Sequence, residues 1–461
     1  MQTDFAILTN MVNDLRSFGR IGRVIRIQNA SVTVAGLSQH ARIGDPVAIH
    51  GSTNTRIEGE IVAIDRNTAA VMVYSAEISC GVGDPVNLLP RPTICPDSSW
   101  AGRTLDAFAL SVDGQPLRQG PEEIDLRRAP PNAGQRRGLG RRLNTGYAVT
   151  DTFLPLARGQ RVGVFAGSGV GKTSLLGGLA RQVDADIVVL GLIGERGREL
   201  REFTEKVLGE EGMARSVVVA STSDQSPLLK RRAAWTATAI AEVFRDQGKH
   251  VLLIIDSLTR FAEAHREIAL TAGEAPSLRA FPPSTANMIA ALTERAGTGS
   301  GTMGDITAIY SVLVAGSDME EPVADFARGV LDGHIVLDRS IAERGRFPAI
   351  DVGKSVSRSL PEVATAEENE LLQHGRKVLN TYSEAETLVR TGLYSAGSDP
   401  MIDRATSIWP ALDSFVSLAG LENCEKSFSR LADALELPRP IPENQPIENT
   451  GLNQESRLTT G

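Results

Sequence analysis

The sequence VGVFAGSGVGKT at residues 162–173 decides the fold of this chain. Its apolar first part, Val162–Phe165, predicts a buried strand, and the apolar residues that follow Thr173 predict a helix. The glycines between them let backbone N–H groups converge on phosphate oxygens, to which the start of a helix adds positive potential. Ala166 stands where such loops usually have glycine, and alanine fits there if its φ is negative. The pattern predicts a phosphate-binding loop; a glycine-rich turn with an incidental lysine is the weaker alternative.

A nucleoside triphosphate, ATP, and Mg²⁺ are the ligands that this loop predicts. Lys172 is expected to reach the β- and γ-phosphates, and Thr173 to place its hydroxyl on the metal. An acid at the end of a neighbouring strand completes such a site, and Asp256 follows the apolar run Val251–Ile255. Asp256 is expected to hold Mg²⁺ through water; the alternative is a strand-end aspartate that caps the next helix. The loop residues expected to bind the nucleotide are Gly167, Ser168, Gly169, Val170, Gly171, Lys172, Thr173 and Ser174.

The middle of the chain alternates buried-strand and helical patterns. The strand candidates are apolar and often β-branched, as parallel strands covered on both faces are. They are Val162–Phe165, Ile187–Leu190, Ser216–Ala220, Val251–Ile255 and Thr307–Val314. We therefore predict an α/β fold with a doubly wound central domain. Residues 116–143, rich in Arg, Pro and Gly, are predicted to form a long loop.

Two further units are expected to flank the central domain. Six strand candidates separated by turn residues predict a small N-terminal β-barrel. They are Val24–Ile27, Ser31–Val34, Pro46–His50, Ile57–Ile64, Ala70–Tyr74 and Pro85–Leu89. From Glu367 onward, apolar residues at helical spacing predict a C-terminal helical domain whose second run is interrupted by Pro410.

The same patterns give the expected boundaries. An apolar stripe at spacings of three and four predicts an amphipathic helix at residues 1–20. Its members are Phe5, Leu8, Val12, Leu15 and Phe18. The barrel is expected at 21–90, the phosphate-loop domain at 91–365, the helical domain at 366–437 and a disordered, polar tail at 438–461.

Composition excludes several classes of protein. The 461 residues contain 48 Lys and Arg against 56 Asp and Glu, and the net charge of −8 argues against a protein that coats nucleic acid. Cys80, Cys95 and Cys424 are too scattered for a disulfide framework or a zinc site, which predicts a reducing, cytoplasmic setting. No apolar stretch reaches the length of a membrane span, and the N-terminus carries Asp4 and Asp14 rather than a secretion signal.

A second loop, GERGRE at residues 194–199, follows the strand Ile187–Leu190. With this motif the sequence closely resembles the catalytic subunits of the F-type, V-type and type III secretion ATPases. The resemblance implies that Glu195 orients and polarises the attacking water, and that Arg196 has a structural or phosphate-side role. A carboxylate beside the γ-phosphate suits such a base. Without the other motifs, an exposed loop of alternating charges is the simpler interpretation.

The resemblance covers residues 22–415 and is strongest to the ATPases of the bacterial flagellar protein-export apparatus. It is carried by LNTG at 143–146, RGQR at 158–161, DSLTRF at 256–261, REIAL at 266–270, FPPS at 281–284, ERAG at 294–297 and LDGH at 331–334. It implies a RecA-like core in which Arg260 contacts the γ-phosphate, Phe347 stacks on adenine and Arg358 is an arginine finger for the neighbouring subunit's nucleotide. The plainer alternatives are an Arg260 ion pair with Glu263, a core role for Phe347 and a loop role for Arg358.

The resemblance also implies a function and partners. It implies Mg-ATP hydrolysis by a homo-oligomeric ring, a hexamer, that drives or facilitates the export of flagellar proteins. The protein is then expected to be cytoplasmic and peripheral at the inner-membrane export apparatus. A regulatory or stator-like subunit, or a membrane surface, is expected at the N-terminal helix; packing of that helix on its own barrel is the alternative. Export-gate proteins and chaperone-substrate complexes are the other expected partners, the latter at the C-terminal helices, and no nucleic acid is expected.

Four other functions compete with flagellar export. A virulence secretion ATPase is the nearest, and the catalytic subunit of a rotary ATP synthase is disfavoured by the DSLTRF and FPPS segments. A ring helicase is disfavoured by the acidic net charge and by an aromatic content of only 5%. A non-catalytic nucleotide-binding subunit is disfavoured by the carboxylate of Glu195.

Overall fold

The computed structural model describes residues 21–28, 31–51, 55–75, 77–314 and 319–440. The helix expected at residues 1–20 and nearly all of the tail expected at 438–461 lie outside these ranges. Within them, the chain forms an N-terminal barrel, a central sheet covered by helices and a C-terminal group of helices, which confirms the predicted fold class. None of the helices in these ranges is both long and apolar enough to cross a membrane.

The barrel forms because short strands direct alternate apolar side chains inward. Val32 and Val34 on one strand, and Val47 and Ile49 on another, are fully buried in its core. The strands are β1 (Ile21–Gln28), β2 (Ser31–Ala35), β3 (Pro46–His50), β4 (Arg56–Ile64), β5 (Thr68–Val73) and β6 (Pro85–Leu88). They close in the order β1-β2-β5-β4-β3-β6, so no strand edge is left free. All six strands predicted in this part of the chain are present.

The other strands build the central sheet and one small hairpin-like pair. They are β7 (Thr93–Ile94), β8 (Thr104–Leu105), β9 (Ile124–Asp125), β10 (Arg161–Ala166), β11 (Ile187–Glu195), β12 (Ser216–Thr222), β13 (His250–Asp256), β14 (Gly297–Thr298), β15 (Asp305–Leu313), β16 (Gly333–Leu337) and β17 (Ile350–Ser357). The sheet has the order β17-β16-β10-β15-β13-β11-β12-β8, with β14 paired to β15, and β7 pairs with β9. Neighbouring strands run parallel except at β17 and β14, which pair antiparallel.

Helices cover both faces of this sheet. Along β11, Val188 and Leu190 enter one hydrophobic cluster and Val189 enters another, so the sheet is doubly wound as predicted. The helices are α1 (Ala148–Asp151), α2 (Lys172–Gln182), α3 (Gly197–Glu202), α4 (Gly209–Ala214), α5 (Pro227–Asp246), α6 (Leu258–Thr271), α7 (Ser284–Thr293), α8 (Pro322–Val330) and α9 (Arg339–Glu343). A π-helical turn at Phe203–Leu208 joins α3 to α4.

The loop predicted at 116–143 is largely irregular, and its arginines fix it to other elements. Arg137 donates to the Asp305 carboxylate at 2.7 Å. Arg142 donates two hydrogen bonds to Glu368 in the C-terminal helices, at 2.8 and 3.0 Å. Because such forked pairs fix direction as well as distance, the loop ties the sheet to the C-terminal helices.

The C-terminal group consists of α10 (Ala366–Arg390), α11 (Pro400–Val416) and α12 (Cys424–Leu435). Thr365 begins α10 with a capping box, in which its hydroxyl accepts from the Glu368 N–H at 3.2 Å. Pro410 lies inside the continuous helix α11, so the interruption predicted there is wrong. The buried side chains of Ile408 and Leu412 hold this part of the helix, which outweighs the single hydrogen bond that proline removes.

Candidate functional site

The phosphate loop connects β10 to α2. Ala166 is the last residue of the strand, so its alanine side chain causes no backbone strain. Gly169 and Gly171 have φ values of 77° and 87°, which glycine adopts readily and other residues do not. Helix α2 begins at Lys172, directly after Gly171, so its first N–H groups face the loop. The backbone therefore has the form that a bound phosphate group requires.

The ammonium group of Lys172 contacts the carboxylate of Asp256. Their side chains are only 12% and 5% exposed. The sheet allows this contact because β10 and β13 both flank β15 and end at the same edge. Ser311, on β15, donates its hydroxyl to the same carboxylate. Sequence reasoning missed Ser311, since only the strand order places it beside Asp256.

Glu195, the last residue of β11, borders a cavity of about 320 Å³. Thr173 and Asp256 line the same cavity, together with Glu199 and Phe203, which the sequence did not single out. Burial raises the pKa of Glu195 to about 7, helped by the negative charge of Asp256 and a hydrogen bond with Glu199. A carboxyl group that titrates near neutrality is suited to accept a proton from water.

The two arginines predicted near the phosphates bind acids on their own helices. Arg196 is 80% exposed and lies 3.5 Å from Glu199. Arg260 donates to Glu263 at 2.8 Å, which is the ion pair that the sequence gives as the plainer alternative, while its stem lies beside Gly194. Because exposed ion pairs contribute about 1 kcal/mol or less, this pair does not prevent Arg260 from turning to a phosphate group.

Phe347 lies at the phosphate loop and not in the core. This residue is 51% exposed, which is unusual for phenylalanine. A Cβ atom added to Gly171 would lie 3.1 Å from Cδ1 of this ring. An exposed aromatic residue therefore lies directly beside the phosphate loop.

Arg358 does not lie at the carboxyl ends of the parallel strands, where these residues meet. It lies near their opposite ends. It follows β17, which runs antiparallel to β16, and its N–H donates to the Asp332 carbonyl at 3.0 Å, just before β16 begins. The phosphate loop leaves β10 after Ala166, which is paired with Leu337 at the other end of β16. The length of β16, about 16 Å, separates the two positions. The structure thus brings together every predicted site residue except Arg358.

The donor set at this edge fits Mg²⁺. Thr173 and Asp256 line one cavity beside the phosphate loop. In phosphate sites Mg²⁺ takes one or two protein oxygens, several waters and the phosphate oxygens, not a full cage of protein ligands. The described part of the chain contains no cluster of three or more His, Cys, Asp or Glu residues that would form such a cage. The hydroxyl of Thr173 and the carboxylate of Asp256, beside the phosphate loop, are the kinds of oxygen ligand that suit a metal ion arriving with its nucleotide.

Comparisons with known proteins agree with this geometry. Residues 146–357 match the ATP synthase alpha/beta family, nucleotide-binding domain, and residues 364–419 match the T3SS EscN ATPase C-terminal domain. The chain is 42% identical over 424 residues to the flagellum-specific ATP synthase of Caulobacter vibrioides, covering 90% of this chain and 96% of the relative. It is 47% identical over 324 residues to the flagellum-specific ATP synthase of Salmonella typhimurium, covering 70% and 71%.

Two solved structures extend the likeness to the whole fold. The assembled ATPase EscN from the enteropathogenic E. coli type III secretion system matches with a TM-score of 0.84 and 36% identity, over 90% of this chain and 100% of that one. The same ATPase in complex with its central stalk EscO matches with a TM-score of 0.80 and 35% identity, with the same coverage. The chain therefore belongs to the family of flagellum-specific ATP synthases, P-loop ATPases within the ATP synthase alpha/beta family.

Proposed function

We propose that this chain hydrolyses Mg-ATP as one subunit of a homo-oligomeric ring, and that hydrolysis serves the export of flagellar proteins through a type III secretion apparatus. The observation that carries the proposal is the meeting of Lys172, Glu195 and Asp256 at one edge of the sheet. Phosphoryl transfer to water requires three groups: a cation for the phosphates, a base that titrates near neutrality and an acid for the metal.

Each residue at this edge has its own role in the proposed reaction. Lys172 and the loop N–H groups neutralise and orient the β- and γ-phosphates. Glu195 orients the attacking water and accepts its proton. Arg260 turns from its helix acid to the γ-phosphate, Arg196 supports the phosphate side of the motif, and Phe347 stacks on adenine.

Thr173 and Asp256 are the residues that would hold Mg²⁺, Thr173 through its hydroxyl and Asp256 through water. When bound, the ion supplies positive charge that stabilises the transferring phosphoryl group. The contact between Lys172 and Asp256 keeps both side chains at the loop, where each is needed.

Arg358 completes the site from a neighbouring subunit. Its place at the far edge of the sheet prevents it from reaching the nucleotide of its own subunit. A head-to-tail ring, however, sets the far edge of one subunit against the phosphate loop of the next. Assembly of the EscN relative supports such a ring, and we take six as its number of subunits.

The relatives also support the biological role. Curated proteins similar to this chain over most of its length are flagellum-specific, which favours the flagellar apparatus over virulence secretion or a rotary ATP synthase. The central stalk EscO of the relative supports a regulatory partner, for which we propose the N-terminal helix as a docking element. Export-gate proteins and chaperone-substrate complexes complete the proposed partners, at the cytoplasmic side of the inner membrane.

Replacing the phosphate-loop lysine tests the enzymatic core of this proposal. Lys172→Ala should abolish tight Mg-ATP binding or hydrolysis, because the phosphates lose the loop's only ammonium group. ATPase assays with and without RNA, together with nucleotide-binding titrations, measure the effect. Lys426→Ala, on an exposed lysine paired with Glu422, is the matched control and should behave as wild type. Near wild-type turnover by Lys172→Ala excludes this site, and activity that depends on RNA favours a helicase instead.

A further inference from the structure

Arg358 borders a second and larger cavity, of about 1020 Å³, which we call the Arg358 cleft. The cleft lies between the loop 139–142, the segment 358–365 and the first turns of α10 and α12. The guanidinium of Arg358 donates only to main-chain oxygens, with the Leu331 carbonyl at 3.1 Å. Arg358 therefore has no acidic partner among the described residues of its own subunit.

An unpaired acid stands on the rim of the same cleft. Glu362 follows Arg358 by four residues, is exposed, and forms no ion pair within the described part of the chain. Glu368, which also lines the cleft, already forms an ion pair with Arg142. Glu362 is thus a carboxylate next to the arginine finger that is free to bind a cation from another molecule.

A matching cation lies beside the nucleotide site at the other edge of the sheet. Arg198, in the first turn of α3, follows Glu195 by three residues and is exposed. Its neighbours on this charged segment are paired, Arg196 with Glu199 and Arg201 with Glu205. Arg198 has neither an ion pair nor a side-chain hydrogen bond among the residues that the structure describes.

We infer that the Arg358 cleft is a subunit interface filled by helix α3 of the next copy, in which Glu362 pairs with Arg198 of that copy. The inference rests on the proposed function, because it places Arg358 beside the neighbour's Glu195. Glu362 then lies within about 14 Å of the finger along the chain, and Arg198 within about 11 Å of the neighbour's base. The head-to-tail contact repeats around a closed ring.

A charge exchange tests this pairing. Glu362→Arg and Arg198→Glu each place like charges opposite one another, so each should raise the protein concentration needed for half-assembly by about tenfold. The double variant restores opposite charges and should return that concentration to within about threefold of wild type. Sedimentation in the presence of Mg-ATP measures assembly, and specific ATPase activity over the same concentrations reports its consequence. Because both positions are exposed, neither change removes a packing contact.

The controls separate this inference from the proposed function. Glu370→Arg alters an exposed acid of α10 that lies outside the cleft, so it should leave assembly unchanged. The pairing is overturned if the double variant needs as high a concentration for half-assembly as the more strongly impaired single variant. It is also overturned if Glu362→Arg and Glu370→Arg change that concentration equally. If Lys172→Ala retains turnover, the proposed function fails; if it is inactive and the charge exchange gives no rescue, only the interface fails.

Discussion

The carboxyl group of Glu195 lies in surroundings that disfavour its charge. It is partly buried, and the carboxylates of Asp256 and Glu199 lie near it in the same cavity. Burial, together with these neighbours, raises its pKa to about 7, so that it accepts a proton more readily than an exposed glutamate does. Lys172 opposes this shift but is engaged by Asp256. The site thus contains two acids in different surroundings. Asp256 is paired with the Lys172 ammonium group, whereas Glu195 has a raised pKa.

The proposed role of Glu195 predicts a specific kinetic defect. Glu195→Gln keeps the size of the side chain and its capacity for hydrogen bonds but cannot accept a proton, so nucleotide affinity should persist while turnover falls about 10²-fold or more. Binding titrations and single-turnover assays separate the two quantities. A variant that loses affinity but keeps its single-turnover rate shows that Glu195 is not the base.

The raised pKa predicts the pH dependence of the free enzyme. Glu195 is protonated and inactive as a base below its pKa, so kcat/KM should rise with pH through an acid limb near pH 7. Glu199 raises this pKa, hence Glu199→Gln should move the limb to lower pH. Steady-state kinetics across the pH range checks both statements. A limb that stays in place in Glu199→Gln contradicts the assignment to Glu195.

The site residues differ in how far the sequence reveals them. The phosphate loop and Asp256 belong to short motifs that follow apolar strands, so local patterns suffice to predict them. Ser311 and Phe203 carry no such motif, because β15 and the π-helical turn reach the site only through the fold. Long-range placement of this kind is absent from any local pattern.

At the scale of elements, the central strands are predictable and the edge strands are not. β13 is a continuous apolar run because both of its faces are covered. β17, at the edge of the sheet, has the sequence IDVGKSVS and exposes several of its residues, so its pattern resembles a loop. The antiparallel direction of β17 is also invisible in the sequence, yet it alone carries Arg358 away from the phosphate loop.

A buried ion pair fixes helix α5 to the loop before β14. Arg295 donates to Glu242 at 2.9 and 2.6 Å, and the two side chains are 4% and 0% exposed. Glu242→Gln should lower the free energy of unfolding by about 3–5 kcal/mol, because it leaves a buried guanidinium without its counter-charge.

Urea denaturation measures this loss against a matched exposed pair. Arg339 and Glu343 are 75% and 65% exposed, so Glu343→Gln should change the free energy of unfolding by less than about 1 kcal/mol. Equal effects of the two substitutions would show that the buried pair contributes no more than a surface pair.

At the scale of the whole molecule, the residues proposed to form the catalytic site lie beyond opposite ends of the strands of one sheet. Lys172, Glu195 and Asp256 lie at the carboxyl ends of the central strands, and Arg358 lies beyond their other ends. If Arg358 acts on the neighbouring subunit as proposed, a single subunit has an incomplete site and the ring completes it. An arginine that meets the transferring phosphoryl group stabilises charge that develops in the transition state, an effect of roughly 10³-fold or more.

Mixing two inactive variants tests this account most directly. Lys172→Ala lacks the phosphate-loop ammonium and Arg358→Ala lacks the finger, so each alone should be inactive. In mixed rings, an Arg358→Ala subunit keeps its phosphate loop and meets an intact finger on a neighbouring Lys172→Ala subunit. With equal amounts and independent sites, about one quarter of the wild-type activity should return. If mixed rings form, as shown by co-purification of differently tagged variants, and activity stays at the sum of the two variants, then Arg358 does not act between subunits.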